Sequence, residues 1–115
     1  MRNQFPAAFA ASLLLFTAQA SAADAVHTSR IRWVYPLADG QTFVLTFQVD
    51  APSCTATGSP KYHYVTVGQN GVTAEGLKHL LAACLSAAAQ GLTVSVVFDN
   101  ATSSCHVNRL AVIYI

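Results

Sequence analysis

Five segments rich in β-branched and aromatic residues, with one amphipathic helix between the third and the fourth, predict a mainly β fold with one helix. The order β-β-β-α-β-β is that of a five-stranded Greek-key barrel of the oligomer-binding (OB) type. In that arrangement the helix plugs one end of the barrel. The order leaves open a second architecture, an open α+β sheet with the helix packed on one face.

Each element has its own signal. Residues 23–28 read as a short polar lead-in. Arg30-Ile31-Arg32-Trp33-Val34-Tyr35 reads as the first strand, ended by Pro36 and by the Asp39-Gly40 turn. Thr42 to Val49 alternates, with Phe43, Leu45, Phe47 and Val49 on one side and Thr42, Val44, Thr46 and Gln48 on the other, so a half-buried strand is expected. A loop rich in Pro, Ser, Thr and Gly runs from Asp50 to Pro60. Lys61 to Gly68 returns to strand, with Tyr62, Tyr64 and Thr66 on one face and His63, Val65 and Val67 on the other; Gln69-Asn70-Gly71 turns the chain.

The helix is expected over Thr73 to Gln90. Thr73 suits an N-cap, Glu75 complements the helix dipole, and Gly91 suits the C-terminal stop. Leu77, Leu80, Leu81, Cys84, Leu85 and Ala88 recur at helical spacing and are expected to share the core face. Leu92 to Phe98 and Cys105 to Ile115 read as the last two strands, joined by a polar loop.

The first residues carry a different pattern. Arg2 precedes a run from Phe5 to Ala18 that is almost free of polar side chains, and Ala20 and Ala22 stand at small-x-small spacing. This is the layout of a secretory signal peptide, residues 1–22, with cleavage before Ala23. The apolar run is short of the roughly 18 residues expected of a membrane span, so no stable membrane anchor is expected. Residues 23–115 then form a single domain. It is secreted or periplasmic, with five Lys and Arg against five Asp and Glu. A balanced surface argues against nucleic acid, whose binding needs clustered cations.

Export places the cysteines in an oxidising compartment. Cys84 falls in the leucine stripe of the helix, where a thiol acts as a small apolar group. Cys54 and Cys105 sit at loop–strand junctions, so the expected disulfide is Cys54–Cys105.

Catalytic patterns are thin. His27, His63, His79 and His106 are scattered, no G-x-S-x-G occurs, and Gly68-Gln69-Asn70-Gly71 lacks the lysine of a phosphate loop. Asp39, Asp50 and Asp99 fall in turns, where carboxylates cap backbone N–H groups. Arg109, inside an apolar strand, is expected to cap the barrel rim or to pair with an acid. No C-x-x-C or H-x-x-x-H spacing points to a metal, and no cofactor is expected. The aromatic residues say more. Trp33, Tyr35, Tyr62, Tyr64 and Tyr114 come from three strands; they serve either as core and wall or as a ligand or subunit face.

Three stretches resemble a known group. Ser59-Pro60-Lys61-Tyr62-His63-Tyr64-Val65-Thr66-Val67-Gly68-Gln69-Asn70-Gly71-Val72-Thr73, then Gly91 to Asp99, then Thr102-Ser103-Ser104-Cys105-His106-Val107-Asn108-Arg109-Leu110 are similar to small secreted bacterial proteins. Those in turn resemble the B subunit of subtilase cytotoxin. The resemblance implies an OB-type barrel, assembly into a ring of five and recognition of host glycans. It carries no sugar-binding residue to a numbered position here. The expected function is a secreted, non-catalytic binding protein, glycan-binding and oligomeric. The alternatives are a monomeric periplasmic or envelope protein that binds another protein, and a small hydrolase.

Overall fold

The computed structural model describes residues 24–115; the expected leader, residues 1–22, lies outside the described residues. The elements are β1 (Asp24–Pro36), β2 (Thr42–Phe47), β3 (His63–Thr66), α1 (Ala74–Gln90), β4 (Thr93–Asp99) and β5 (Val107–Ile113). They follow the predicted order. The strands form one antiparallel five-stranded sheet in the order β3-β2-β1-β4-β5. The helix packs against β1 and β5.

β1 joins the two halves of the sheet. Asp24 to Arg30 pairs with β4, and Ile31 to Pro36 pairs with β2. The expected polar lead-in is therefore strand. Its inward positions are Ala25, His27, Ser29 and Ile31, and two of these are polar, which hides the alternation. The polar pair is satisfied locally: His27 Nε2 lies 2.6 Å from the Val49 carbonyl, and the Val49 N–H donates to Ser29 Oγ at 3.2 Å. Buried polar groups are tolerated when so paired.

β2 corrects a second expectation. It is not half-buried; all six residues are buried. Phe43, Leu45 and Phe47 face the core with Ile31, Val65, Val94, Val96, Phe98 and Val107. Thr42, Val44 and Thr46 are covered from the opposite side. Fully burying one such large apolar side chain stabilises the fold by about 1.5–3 kcal/mol. Between β1 and β2, Asp39 Oδ1 accepts from the Gln41 N–H at 2.8 Å, the turn-capping role expected of it.

Thr73 caps α1, its side chain accepting from the Gly76 N–H at 3.0 Å. Gly91 ends the helix in the left-handed region at φ 66°, which a residue with a Cβ adopts poorly. Leu77, Cys84 and Ala87 are buried and Leu80 and Leu81 partly so, whereas Leu85 and Ala88 are exposed. The apolar stripe is thus narrower than expected, because the helix meets the sheet along the 77, 80/81, 84, 87 line only. Arg109 pairs with an acid: Nη2 stands 3.5 Å from Asp24 Oδ2 at the surface.

Cys54 and Cys105 form a disulfide, with Cα atoms 5.8 Å apart. Such a bond fits an oxidising compartment. No helix among the described residues is long and apolar enough to cross a membrane. Cys84 is free and buried, and desolvation pushes its thiol up to about 12. The thiolate is the reactive form. Cys84 is therefore expected to resist maleimide in the native protein and to react fully in denaturant; rapid native labelling contradicts its placement.

Candidate functional site

The site begins with a bulge. The register of β1 against β2 shifts between Ile31 and Trp33, leaving Arg32 as an extra residue. Before the bulge the odd positions face inward; after it Val34 packs on the core, while Trp33 and Tyr35 turn to the opposite face. A bulge re-aims side chains in this way.

The pairing then builds a row. Trp33 stands opposite Thr46, Tyr35 opposite Val44, and Val44 opposite Tyr64. Residues directly opposite share a face. Trp33, Tyr35 and Tyr64 thus lie across the outer side of β2, where Val44 and Thr46 are buried. Adjacent ring centroids lie 6.5 Å apart for Trp33–Tyr35, 5.9 Å for Tyr35–Tyr62 and 6.4 Å for Tyr62–Tyr64. The Arg32 guanidinium lies 5.3 Å from the Trp33 ring centroid. Trp33 and Tyr62 remain 43% and 38% exposed, so these rings still meet solvent.

Beside this face lies a pocket of about 610 Å³, lined by Trp33, Thr55, Ala56, Thr57, Ser59, Pro60, Tyr62, Tyr64, Ser103 and Ser104. Its walls are the β2–β3 loop and the β4–β5 loop, and the disulfide ties one to the other. Asp50 organises the first wall. Its carboxylate accepts from the Lys61 N–H at 2.9 Å and from Ser59 Oγ at 2.7 Å. These donors hold the Asp50 pKa below its ordinary value. Lys61 Nζ donates to the carbonyls of Cys54 at 2.7 Å and Ala51 at 3.2 Å. Both charges are thus engaged within the loop, and the residues that line the pocket are all uncharged. Desolvation first, and then the hydroxyl of Tyr62, push the Tyr35 phenol up to about 12, so it stays neutral at physiological pH.

The second wall is anchored at Cys105, whose φ of 45° is left-handed. This conformation costs a residue with a Cβ about 1–2 kcal/mol. Tyr64 N donates to the Ser104 carbonyl at 3.1 Å, and Asn70 Nδ2 to the His106 carbonyl at 2.8 Å, so β3 and the turn after it hold this loop in place.

The structure therefore gathers Trp33, Tyr35, Tyr62 and Tyr64 on one face. It does not bring in Tyr114, which lies beyond β5 and is exposed. The hydroxyls of Thr55, Thr57, Ser59, Ser103 and Ser104 were not singled out from the sequence. Their only signal was the polar composition of the loops that carry the two paired cysteines.

A second group lies in the core. Cys54 Sγ, Cys105 Sγ and a ring nitrogen of His63 all fall within 4.8 Å of one another, a juxtaposition that no sequence spacing announces. His63 packs edge-on between Phe47 and Phe98, at centroid distances of 5.0 and 4.8 Å.

Comparison with protein-family models, curated proteins and solved structures finds no match to this chain.

Proposed function

We propose that the chain is an exported, non-catalytic binding protein that holds an uncharged saccharide on the Trp33–Tyr35–Tyr62–Tyr64 face. The observation that carries this reading is the junction of exposed aromatic rings with a hydroxyl-lined, uncharged pocket. Sugars offer both partners such a surface needs: a C–H face that packs on flat rings and hydroxyls that exchange hydrogen bonds with Ser, Thr and Tyr. The resemblance to toxin B subunits points the same way.

The same reading takes the sheet as an OB-type barrel. In its support, one long bent strand serves both halves, and the end strands β3 and β5 approach through the Tyr64–Ser104 hydrogen bond and the disulfide. It also takes the protein as a homo-oligomer, with five subunits the first choice. β5 is an end strand carrying Leu110, Val112 and Ile113, and exposed Tyr114 follows it. Apolar sheet edges of this kind favour pairing with another chain. Light scattering on the purified protein is expected to give a multiple of the chain mass; a monomer mass that is unchanged on concentration removes this part of the proposal.

A library of immobilised glycans tests the ligand. Selective binding to neutral oligosaccharides is expected, weakened at least about tenfold, or about 1.4 kcal/mol, by Trp33→Ala or Tyr62→Ala. Capture of a single envelope protein with no glycan bound favours the protein-binding alternative. Turnover of a substrate abolished by one histidine substitution favours the hydrolase.

A further inference from the structure

His63 is a costly choice for its position. It is fully buried, and its ring nitrogens close no hydrogen bond of good geometry, the backbone of Cys105 being the polar group that comes near. Buried polar groups ordinarily close such a bond. An apolar side chain would fill the slot between Phe47 and Phe98 without that cost. The imidazole also faces sulfur: one of its nitrogens and the Sγ atoms of Cys54 and Cys105 all lie within 4.8 Å of one another.

We propose that the dithiol form of this cluster is a copper(I) site, with Cys54 Sγ, Cys105 Sγ and one ring nitrogen of His63 as its ligands. It lies apart from the saccharide face and does not rest on that reading. The donor set selects the ion. Two thiolates and an imidazole are soft donors that suit monovalent copper. Structural zinc almost always takes four ligands, and the cluster has three. The surrounding apolar core keeps water from the metal. Two thiolates and one copper(I) carry a single net negative charge, and the Lys61 ammonium, held at 2.7 Å from the Cys54 carbonyl, is a cation on the same loop.

The site opens by thiol–disulfide exchange. A dithiol reductant supplies two electrons and two protons; the Cys54–Cys105 bond breaks to two thiols, and the reductant closes to its own disulfide. Copper(I) then displaces the two thiol protons to solvent and remains monovalent throughout. While it holds both sulfurs the disulfide cannot re-form, so the chain has two exclusive closed states, one stapled by sulfur and one by metal.

The test uses the full chain carrying Cys84→Ser, which removes the one thiol outside the cluster. The protein is reduced, freed of reductant without oxygen and titrated with copper(I) held as its coloured bicinchoninate complex. One equivalent of copper is expected to leave the dye for each reduced chain, and none for each oxidised chain. His63→Leu in the same background is expected to weaken uptake at least about tenfold, the loss seen even when a ligand's own partner is removed. Should that variant fail to fold, X-ray absorption on the copper-loaded parent decides, with two sulfurs and one imidazole nitrogen expected. Failure of the reduced chain to take copper, uptake by the oxidised chain, unchanged affinity in folded His63→Leu, a two-sulfur spectrum, or zinc that displaces the copper each overturns the assignment.

Discussion

Replacing Cys54 and Cys105 together by serine is expected to cost the fold about 4 kcal/mol, because the bond closes a loop across a sequence separation of 51 residues. The loss arises chiefly in the unfolded chain, which regains the freedom that the bond removes. For a chain of this size such a loss lowers the melting temperature by roughly 20 °C. The bond also joins the two loops that wall the pocket, so saccharide binding should fall in the same variant. Urea unfolding measures the first effect. A change below about 1 kcal/mol would contradict this loop-closure account of the bond.

Acid is expected to unfold the oxidised protein through His63. Burial is the main cause that lowers its pKa from 6.5 to about 4, with the neighbouring His27 adding to it. The unfolded chain therefore binds more protons than the folded one between those values. Stability is full above pH 6.5, falls as the pH drops toward 4, and levels off below it. The whole shift corresponds to about 3 kcal/mol. His106, also lowered by burial, adds a smaller loss of the same sign. His63→Phe, which suits the slot between Phe47 and Phe98, should remove most of the slope and raise stability at pH 5. Urea midpoints at pH 5 and pH 7 for both proteins check this. Equal slopes in the two would place the acid sensitivity elsewhere.

Much of the fold was legible in the sequence because local signals and tertiary demands agree. Thr73, Glu75 and Gly91 mark the helix, and alternation marks β3 with His63 and Val65 inward. The disulfide followed from Cys84 sharing the leucine face. The misses have physical causes. The first half of β1 buries His27 and Ser29, and a hydropathy pattern scores both as outward. β2 is covered on both sides only because Trp33, Tyr35 and Tyr64 lie across it, which is a tertiary fact.

Legibility of the site follows the same division. Its rings could be named but not gathered, because the bulge at Arg32 that turns Trp33 and Tyr35 outward has no glycine or other local mark. Tyr114 looked equivalent to the others in sequence and is not, since it lies past the end of β5. The Cys54–His63–Cys105 cluster joins residues from two loops and a strand, and no spacing rule reaches that far.

Trp33 is the only tryptophan in the chain, so its fluorescence reports directly on the proposed face. The decisive measurement is a titration of the purified protein with the neutral oligosaccharide that binds best in the library. A saturable change in Trp33 emission is expected, with Tyr64→Ala shifting the midpoint at least about tenfold upward. Binding of the oligosaccharide that leaves the emission unchanged, or a midpoint unmoved by Tyr64→Ala, would contradict the placement of the ligand on this face.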